Sequence, residues 1–142
     1  LHIASYEGHT EVVRWLIEAG ADAKTVDRQG ASPLYIAAQQ NHGDVVRLLL
    51  AEVDPRQLIK NPGGFSCLHI AAQQGHNIVV KILLDDGRLP TNGISDEGLT
   101  PLFFAAQSGH RDTAKILLSH GADAQGVGML YRTGYSKTRT LA

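Results

Sequence analysis

The stretch TPLFFAA at residues 100–106 has two close copies in the chain, SPLYIAA at 32–38 and SCLHIAA at 66–72, and a shorter one, LHIAS, at 1–5. The leucines that anchor the four copies are separated by 33, 34 and 34 residues and are Leu1, Leu34, Leu68 and Leu102. Each copy continues with two variable residues, a Gly-His or Asn-His pair and an apolar run. A fixed period of this length indicates a stacked array of repeats.

Each copy predicts two helices. Ser32-Pro33 and Thr100-Pro101 place a hydroxyl N-cap before a proline at the first helical position, where the missing N–H costs nothing. Asn41 to Gly43 should break the first helix, and residues 44–50 should form the second. The counterparts of this second helix are residues 11–17, 77–84 and 112–118, and the glycines expected to end the second helices are Gly20, Gly87 and Gly121.

Turn-forming residues follow the helix pairs at 27–30, 61–64 and 95–98, and these should form the tips of projecting fingers. The repeated segments resemble ankyrin repeats, whose signature Thr-Pro-Leu-His-x-Ala-Ala is matched at 32–38, 66–72 and 100–106. The resemblance extends to about Gln125. It implies an all-α repeat solenoid of stacked helix-turn-helix ankyrin repeats with projecting β-turn fingers.

We expect the array to occupy residues 1–125, divided at about 1–26, 27–60, 61–94 and 95–125. Residues 126–142 should form a basic tail or a degenerate fifth repeat, since this segment carries Arg132, Lys137 and Arg139 without an acidic residue. The chain does not begin with Met, so we also expect it to be a fragment.

One junction departs from the repeat pattern. Val53 stands where the other copies have glycine, and a β-branched residue resists the left-handed conformation that stops a helix there. Asp54-Pro55 resembles an N-cap with its first helical residue. We therefore predict an extra helical turn at residues 55–59, with Leu58 or Ile59 packed under the stack.

Composition excludes several classes of protein. The 142 residues are 43% hydrophobic and 19% charged, with a net charge of −1, and no stretch approaches the roughly 20 apolar residues of a membrane span. A near-neutral chain argues against nucleic-acid binding through a basic field. The single cysteine, Cys67, cannot form an intramolecular disulfide, so we expect an intracellular protein, either cytoplasmic or nuclear.

The seven histidines invite a metal hypothesis, but their spacing favours a structural role. His9, His42, His76 and His110 occupy equivalent points of successive repeats, and helices packed 8–10 Å apart do not let such residues share an ion easily. Cys67 should be a packing residue. No spacing implies a catalytic constellation, so we expect no catalytic residue, no cofactor and no metal. Trp15 is expected in the core or at the end of the stack.

What remains is the concave surface made by the first helices and the finger tips, where such arrays bind partners. In the family, contacts come mainly from the turns and from the two residues after Ala-Ala. Carried over to this chain, the candidate partner-binding residues are Tyr6, Glu7, Arg28, Gln29, Gln39, Gln40, Phe65, Gln73, Gln74, Asp96, Glu97, Leu99 and Gln107. Phe65 is the first choice, as an exposed apolar anchor on a finger, and the alternative is that its ring folds back under the neighbouring finger.

The glutamines that recur in register would suit a polypeptide, although glutamine is also simply a good exposed helix former. Two functions remain open. The first is a non-catalytic protein–protein interaction module that binds a folded domain or an extended peptide. The second is a targeting or scaffolding domain of a larger enzyme or channel whose activity lies outside this chain.

Overall fold

The computed structural model describes residues 1–125, which form four helix pairs and contain no β-strand. The pairs are α1 (His2–Glu7) with α2 (Thr10–Glu18), α3 (Pro33–Gln39) with α4 (Gly43–Leu50), α5 (Cys67–Gln74) with α6 (Asn77–Asp86), and α7 (Pro101–Gln107) with α8 (Arg111–Ser119). First helices pack on first helices and second helices on second helices along the stack. The predicted all-α solenoid is confirmed, while the predicted tail at 126–142 lies outside the described residues.

The first helices begin where the hydroxyl residues predict. The Ser32 Oγ accepts a hydrogen bond from the Tyr35 N–H at 3.1 Å, and the Thr100 Oγ1 accepts one from the Phe103 N–H at 3.1 Å. At α5 the cap is reciprocal, because Ser66 Oγ accepts from the His69 N–H while His69 Nδ1 accepts from the Ser66 N–H. Such caps satisfy donors that a helix start otherwise leaves unpaired.

The core lies between successive pairs. It contains the anchoring leucines Leu34, Leu68 and Leu102, together with alanine pairs on the first helices and valines on the second. Ala37, Ala38, Ala71 and Ala72 are fully buried. Because alanine is small, the backbones of neighbouring first helices can approach closely, and each pair buries its apolar face only with a neighbour in place.

Histidines join the successive pairs. The Nε2–H of His42 donates to the Tyr6 carbonyl at 2.8 Å, that of His76 to the Gln39 carbonyl at 2.9 Å, and that of His110 to the Gln73 carbonyl at 2.8 Å. The predicted structural role is confirmed for these three. The ring of His9 has no hydrogen-bond partner within residues 1–125. Each of the other three bonds a carbonyl of the preceding pair, and His9 belongs to the first pair that the structure describes.

The left-handed residue after the first helices makes room for these rings. Gly8 and Gly75 have φ of 76° and 73°, and a Cβ on either would overlap the histidine ring of the next pair. Glycine is therefore favoured at Gly8 and Gly75 both by backbone conformation and by close approach. In the second pair Asn41 takes the same position with φ of 66°.

The first pair is more exposed than its counterparts further along the described stack. Val12 is 39% exposed, whereas its counterparts Val45 and Val79 are 0% exposed because they pack on the preceding pair. Trp15 is 62% exposed, while its counterpart Ile82 lies against Gly43 of the preceding pair. Trp15 thus lies outside the core and at the first-pair end of the described stack, which is the second of its two expected locations.

The irregular junction after α4 is stabilised by hydrogen bonds from a residue of the next repeat. A 3₁₀ helix spans Pro55–Leu58 and is capped by Asp54, and Leu58 is buried, as predicted. The Arg88 guanidinium donates to the carbonyls of Leu50 at 2.7 Å and Val53 at 3.1 Å, while also pairing with Asp86. It satisfies carbonyls that the end of α4 leaves open.

We expect Arg88→Ala to destabilise the chain by about 1–3 kcal/mol, because hydrogen bonds from a charged donor to two carbonyls are lost. Urea unfolding followed by circular dichroism would measure this. Arg47→Ala is the control, because Arg47 makes only an exposed ion pair with Asp44 and should cost less than about 1 kcal/mol. Equal losses in the two variants would contradict the capping role.

A second prediction concerns pH. Burial lowers the pKa of His69, and the hydrogen bonds from its ring to the carbonyls of Leu99 and Gly93 only partly oppose this. The unfolded chain therefore binds this proton more readily than the folded chain. The stability due to neutral His69 is complete above its ordinary pKa of about 6.5 and is lost as the pH falls below it.

His69→Phe places at this position the residue type that the fourth copy carries at Phe103. We expect the variant to lose less free energy of unfolding than the wild type between pH 7.5 and pH 5.5, whatever its stability at pH 7.5. Urea titrations at the two pH values make the comparison. The same pH dependence in both proteins would show that His69 does not titrate on unfolding.

Candidate protein-binding surface

The concave surface is formed by the ends of the first helices and by three finger tips. Each tip is a turn closed by an N–H to carbonyl bond, from Gly30 to Asp27 at 2.9 Å, from Gly64 to Asn61 at 3.1 Å and from Gly98 to Ser95 at 2.9 Å. The three turns share this closing bond, although the second turn has positive φ at both Gly63 and Gly64 and the others only at Gly30 and Gly98. The predicted fingers are confirmed. Adjacent tips also touch, since the Asp96 N–H donates to the Gly63 carbonyl at 2.8 Å.

The glutamines lie in register on this surface. The backbone carbonyls of Gln39 and Gln73 accept the inter-repeat histidine bonds, which fixes the position of both residues. Their side chains are half-buried, and no group within residues 1–125 is hydrogen-bonded to either carboxamide. Each amide is therefore free to donate and accept hydrogen bonds with a ligand. Gln107 continues the row and is exposed.

The structure also shows the exposure of the other predicted residues. Tyr6 is 52% exposed at the first-pair end of the row. Gln40 is half-buried beside Gln39. The remaining polar candidates are exposed on first helices or finger tips and are Glu7, Arg28, Gln29, Gln74, Asp96 and Glu97.

Two of the predicted apolar anchors are placed differently. Phe65 is not an exposed finger residue, because its ring folds inward and meets Phe104 edge to face, with ring centroids 5.4 Å apart. The alternative of a ring that folds back is therefore correct, and Phe65 is half-buried. Leu99 is only 9% exposed because it joins the core beneath the third finger, so the expectation of a free anchor there is wrong.

The folded Phe65 ring instead forms part of a groove with two connected pockets. The larger pocket, of about 360 Å³, lies between the first and second fingers and includes Tyr6, Asp27 and Gln39 in its lining. The smaller pocket, of about 40 Å³, is lined by His69, Ile70, Gln73 and Phe104. Both pockets are bounded by Tyr35 and Phe65, which form the ridge between them.

The sequence pattern did not single out Tyr35 and Phe104 as residues that line the groove. Both belong to the repeated signature. The first and third copies carry His2 and His69 at the position of Tyr35, and Ile3 and Ile70 at the position of Phe104. The signal was the replacement of histidine by tyrosine on α3 and of isoleucine by phenylalanine on α7, the first helices on either side of α5. Burial raises the pKa of Tyr35, with a smaller contribution from Cys67, so its phenol stays neutral and can donate a hydrogen bond.

Two features of residues 1–125 bear on catalytic chemistry, the arrangement of possible metal ligands and the cysteine thiol. No group of three or more His, Cys, Asp or Glu side chains in residues 1–125 is arranged to hold a metal ion. Cys67 is buried, and burial raises the pKa of its thiol to about 12, so it is protonated and unsuited to nucleophilic attack. None of the helices in this part of the chain has the length and apolar character that a bilayer crossing requires.

Comparison with known families agrees with the repeat geometry. A family model described as ankyrin repeats in three copies matches residues 55–126, and a second, described as ankyrin repeats in many copies, matches residues 1–50. Together these two matches include all eight helices.

Several curated relatives match part of this chain. Rabankyrin-5 of Homo sapiens is 31% identical over 47% of this chain and 6% of its own length. Protein phosphatase 1 regulatory subunit 12A of Mus musculus is 33% identical over 44% of this chain and 6% of its own length. The mitochondrial liver isoform of glutaminase from Mus musculus is 52% identical over 34% of this chain and 8% of its own length. The chain thus matches less than a tenth of each relative's length.

The position of Phe65 yields a stability prediction. We expect Phe65→Ala to cost about 1–3 kcal/mol, because a half-buried ring and its edge-to-face contact with Phe104 are lost. Leu68→Ala should cost about 2–5 kcal/mol, since Leu68 is fully buried. Urea unfolding measures both. An unchanged midpoint in Phe65→Ala would show that the ring lies free of the core in solution.

Proposed function

Because the chain belongs to the ankyrin repeat family, whose members serve as protein–protein interaction modules, we propose that it is a non-catalytic module that binds a polypeptide through its concave face and finger tips. The observation that carries the proposal is the groove on that face, where free carboxamides stand beside aromatic walls. The partner is a folded domain or an extended peptide. We also propose that the partner is not a nucleic acid. The proposed location is intracellular, either cytoplasmic or nuclear.

The chemistry of the groove suits a polypeptide. Peptide backbones present alternating donors and acceptors, and a carboxamide complements both. Gln39 and Gln73 repeat with the period of the stack, so one extended strand can meet them in succession. Tyr6 and Tyr35 add large side chains with polar tips, a residue type that is enriched in the centre of protein interfaces.

A second candidate function follows from the relatives. Each matches this chain over less than a tenth of its own length, and one of them is named as a glutaminase and another as a regulatory subunit. Their repeats accompany much longer sequences. By analogy, this array acts as the targeting or scaffolding domain of a larger enzyme or channel whose activity lies outside it. Both candidate functions use the same binding surface. In the second, binding also brings an attached enzyme or channel to the partner.

The proposal predicts loss of partners on substitution of the concave face. The variant combines Tyr6→Ala, Gln39→Ala and Gln73→Ala, three changes that remove side chains without opening the core. We expect captured partners to fall at least tenfold in affinity purification from lysate with quantitative mass spectrometry. The reason is that central interface residues dominate binding energy.

A matched control carries three substitutions on exposed positions of the second helices, on the opposite side of the stack: Arg14→Ala, Arg47→Ala and Lys81→Ala. This control should retain the partners and fold as stably as the wild type. Partners that disappear with the control but survive the concave substitutions would place the interface on the second helices and refute the proposal.

A further inference from the structure

The smaller pocket on the concave face is walled by three rings held at fixed angles. Phe65 and His69 meet with centroids 6.1 Å apart, His69 and Phe104 at 5.9 Å, and Phe65 and Phe104 at 5.4 Å, each pair near edge to face. Both nitrogens of His69 are already hydrogen-bonded, to Ser66 on one side and to the Leu99 and Gly93 carbonyls on the other. The three rings therefore offer an apolar surface, and the polar groups that also line the pocket are the Gln73 carboxamide and the Tyr35 phenol.

The size of this pocket limits its occupant. Its volume of about 40 Å³ is roughly three times the space that one water molecule requires. Three waters occupy about the volume of a group of three or four carbons. A group of that size is larger than a methyl group and smaller than the six-carbon ring of phenylalanine. A branched or linear aliphatic side chain such as leucine, isoleucine, valine or methionine fits.

The adjoining pocket supplies a negative charge. Asp27 is the single side chain lining either pocket that carries a charge at neutral pH, given that His69 is neutral. Its Oδ1 accepts hydrogen bonds from the N–H groups of Gln29 and Ala31, both at 2.9 Å, so the carboxylate is held in place. No cation within residues 1–125 forms a salt bridge with it.

The finger tips extend the same sign of charge. The turns at 27–30, 61–64 and 95–98 contain three acidic residues, Asp27, Asp96 and Glu97, and one basic residue, Arg28. The middle tip, Asn61-Pro62-Gly63-Gly64, carries no charge. A ligand that crosses the apolar centre of the groove thus meets a negative rim, which favours a cationic partner by charge complementarity.

Resting on the proposed function, we infer that the groove binds an extended peptide segment with one aliphatic residue in the smaller pocket and a Lys or Arg facing Asp27. The carboxamides of Gln39 and Gln73 bond its backbone between these points. Because successive repeats lie about 8–10 Å apart and an extended chain advances about 3.3 Å per residue, the basic residue stands about two to four positions from the aliphatic one.

The test begins with a library of random 12-residue peptides displayed on phage and selected against the 142-residue chain. The most enriched sequence is synthesised with a fluorescein label and its affinity is measured by fluorescence anisotropy. We expect a Leu, Ile, Val or Met with a Lys or Arg two to four residues away. Replacing that aliphatic residue by Ala should weaken binding roughly ten- to hundredfold, because its apolar surface is no longer buried.

The basic residue is tested by a double-mutant cycle. Replacing it by norleucine should weaken binding about two- to fivefold for wild-type protein, and more at low salt than at high salt. With Asp27→Asn, which keeps the oxygen that accepts the turn bonds, the same replacement should have no effect. Asp44→Asn, on the exposed side of α4, is the matched control and should leave the effect intact.

Three results overturn the inference, and they differ in what they say about the proposed function. Peptides that lose affinity with Gln39→Ala and Gln73→Ala, yet lack the aliphatic and basic pattern, leave concave-face binding standing. Peptides whose affinity is unchanged by both substitutions count against concave-face binding as well. Failure to enrich any peptide refutes an extended ligand and restricts the proposed function to a folded partner.

Discussion

The contact between neighbouring helix pairs is the interaction on which this structure depends. No described helix exceeds ten residues, and helices this short are unstable by themselves in water. Each gains its stability by burying alanine and valine faces against the next pair, and each pair is tied to the one before it by a histidine bonded to a carbonyl. Stability is consequently a sum over neighbouring interfaces, and it is lowest where a neighbour is absent.

The same contact shapes the binding surface. Gln39 and Gln73 use their backbone carbonyls to hold the stack and keep their carboxamides free on the concave side. The inter-repeat bond thus sets the spacing of the side chains that a ligand would meet. His69 plays a comparable double part, since it caps α5, ties that helix to the third finger and supplies one wall of the aromatic pocket. The groove is consequently built from the same contacts that join the repeats.

Irregularity in the array is compensated by neighbours. Val53 removes the usual glycine stop, and the chain continues into a 3₁₀ turn whose Leu58 returns to the core. The open carbonyls at the end of α4 are then satisfied by Arg88, which lies 35 and 38 residues further along the chain from the two residues it contacts. A departure in one repeat is therefore stabilised by a side chain from the next, and the periodic surface on the concave side continues without a break.

The repeated signature, its period and the residues at helix ends determined the fold, because capping, the left-handed stop and helical periodicity are local effects that a sequence displays. They also located the fingers, the register of the glutamines and the structural histidines. Only the tertiary structure decided which way Phe65 turns, that Leu99 is buried and that Tyr35 and Phe104 complete a pocket. Those outcomes depend on the packing of residues about one repeat apart, such as Phe65 against Phe104, and that packing has no signature within a single repeat.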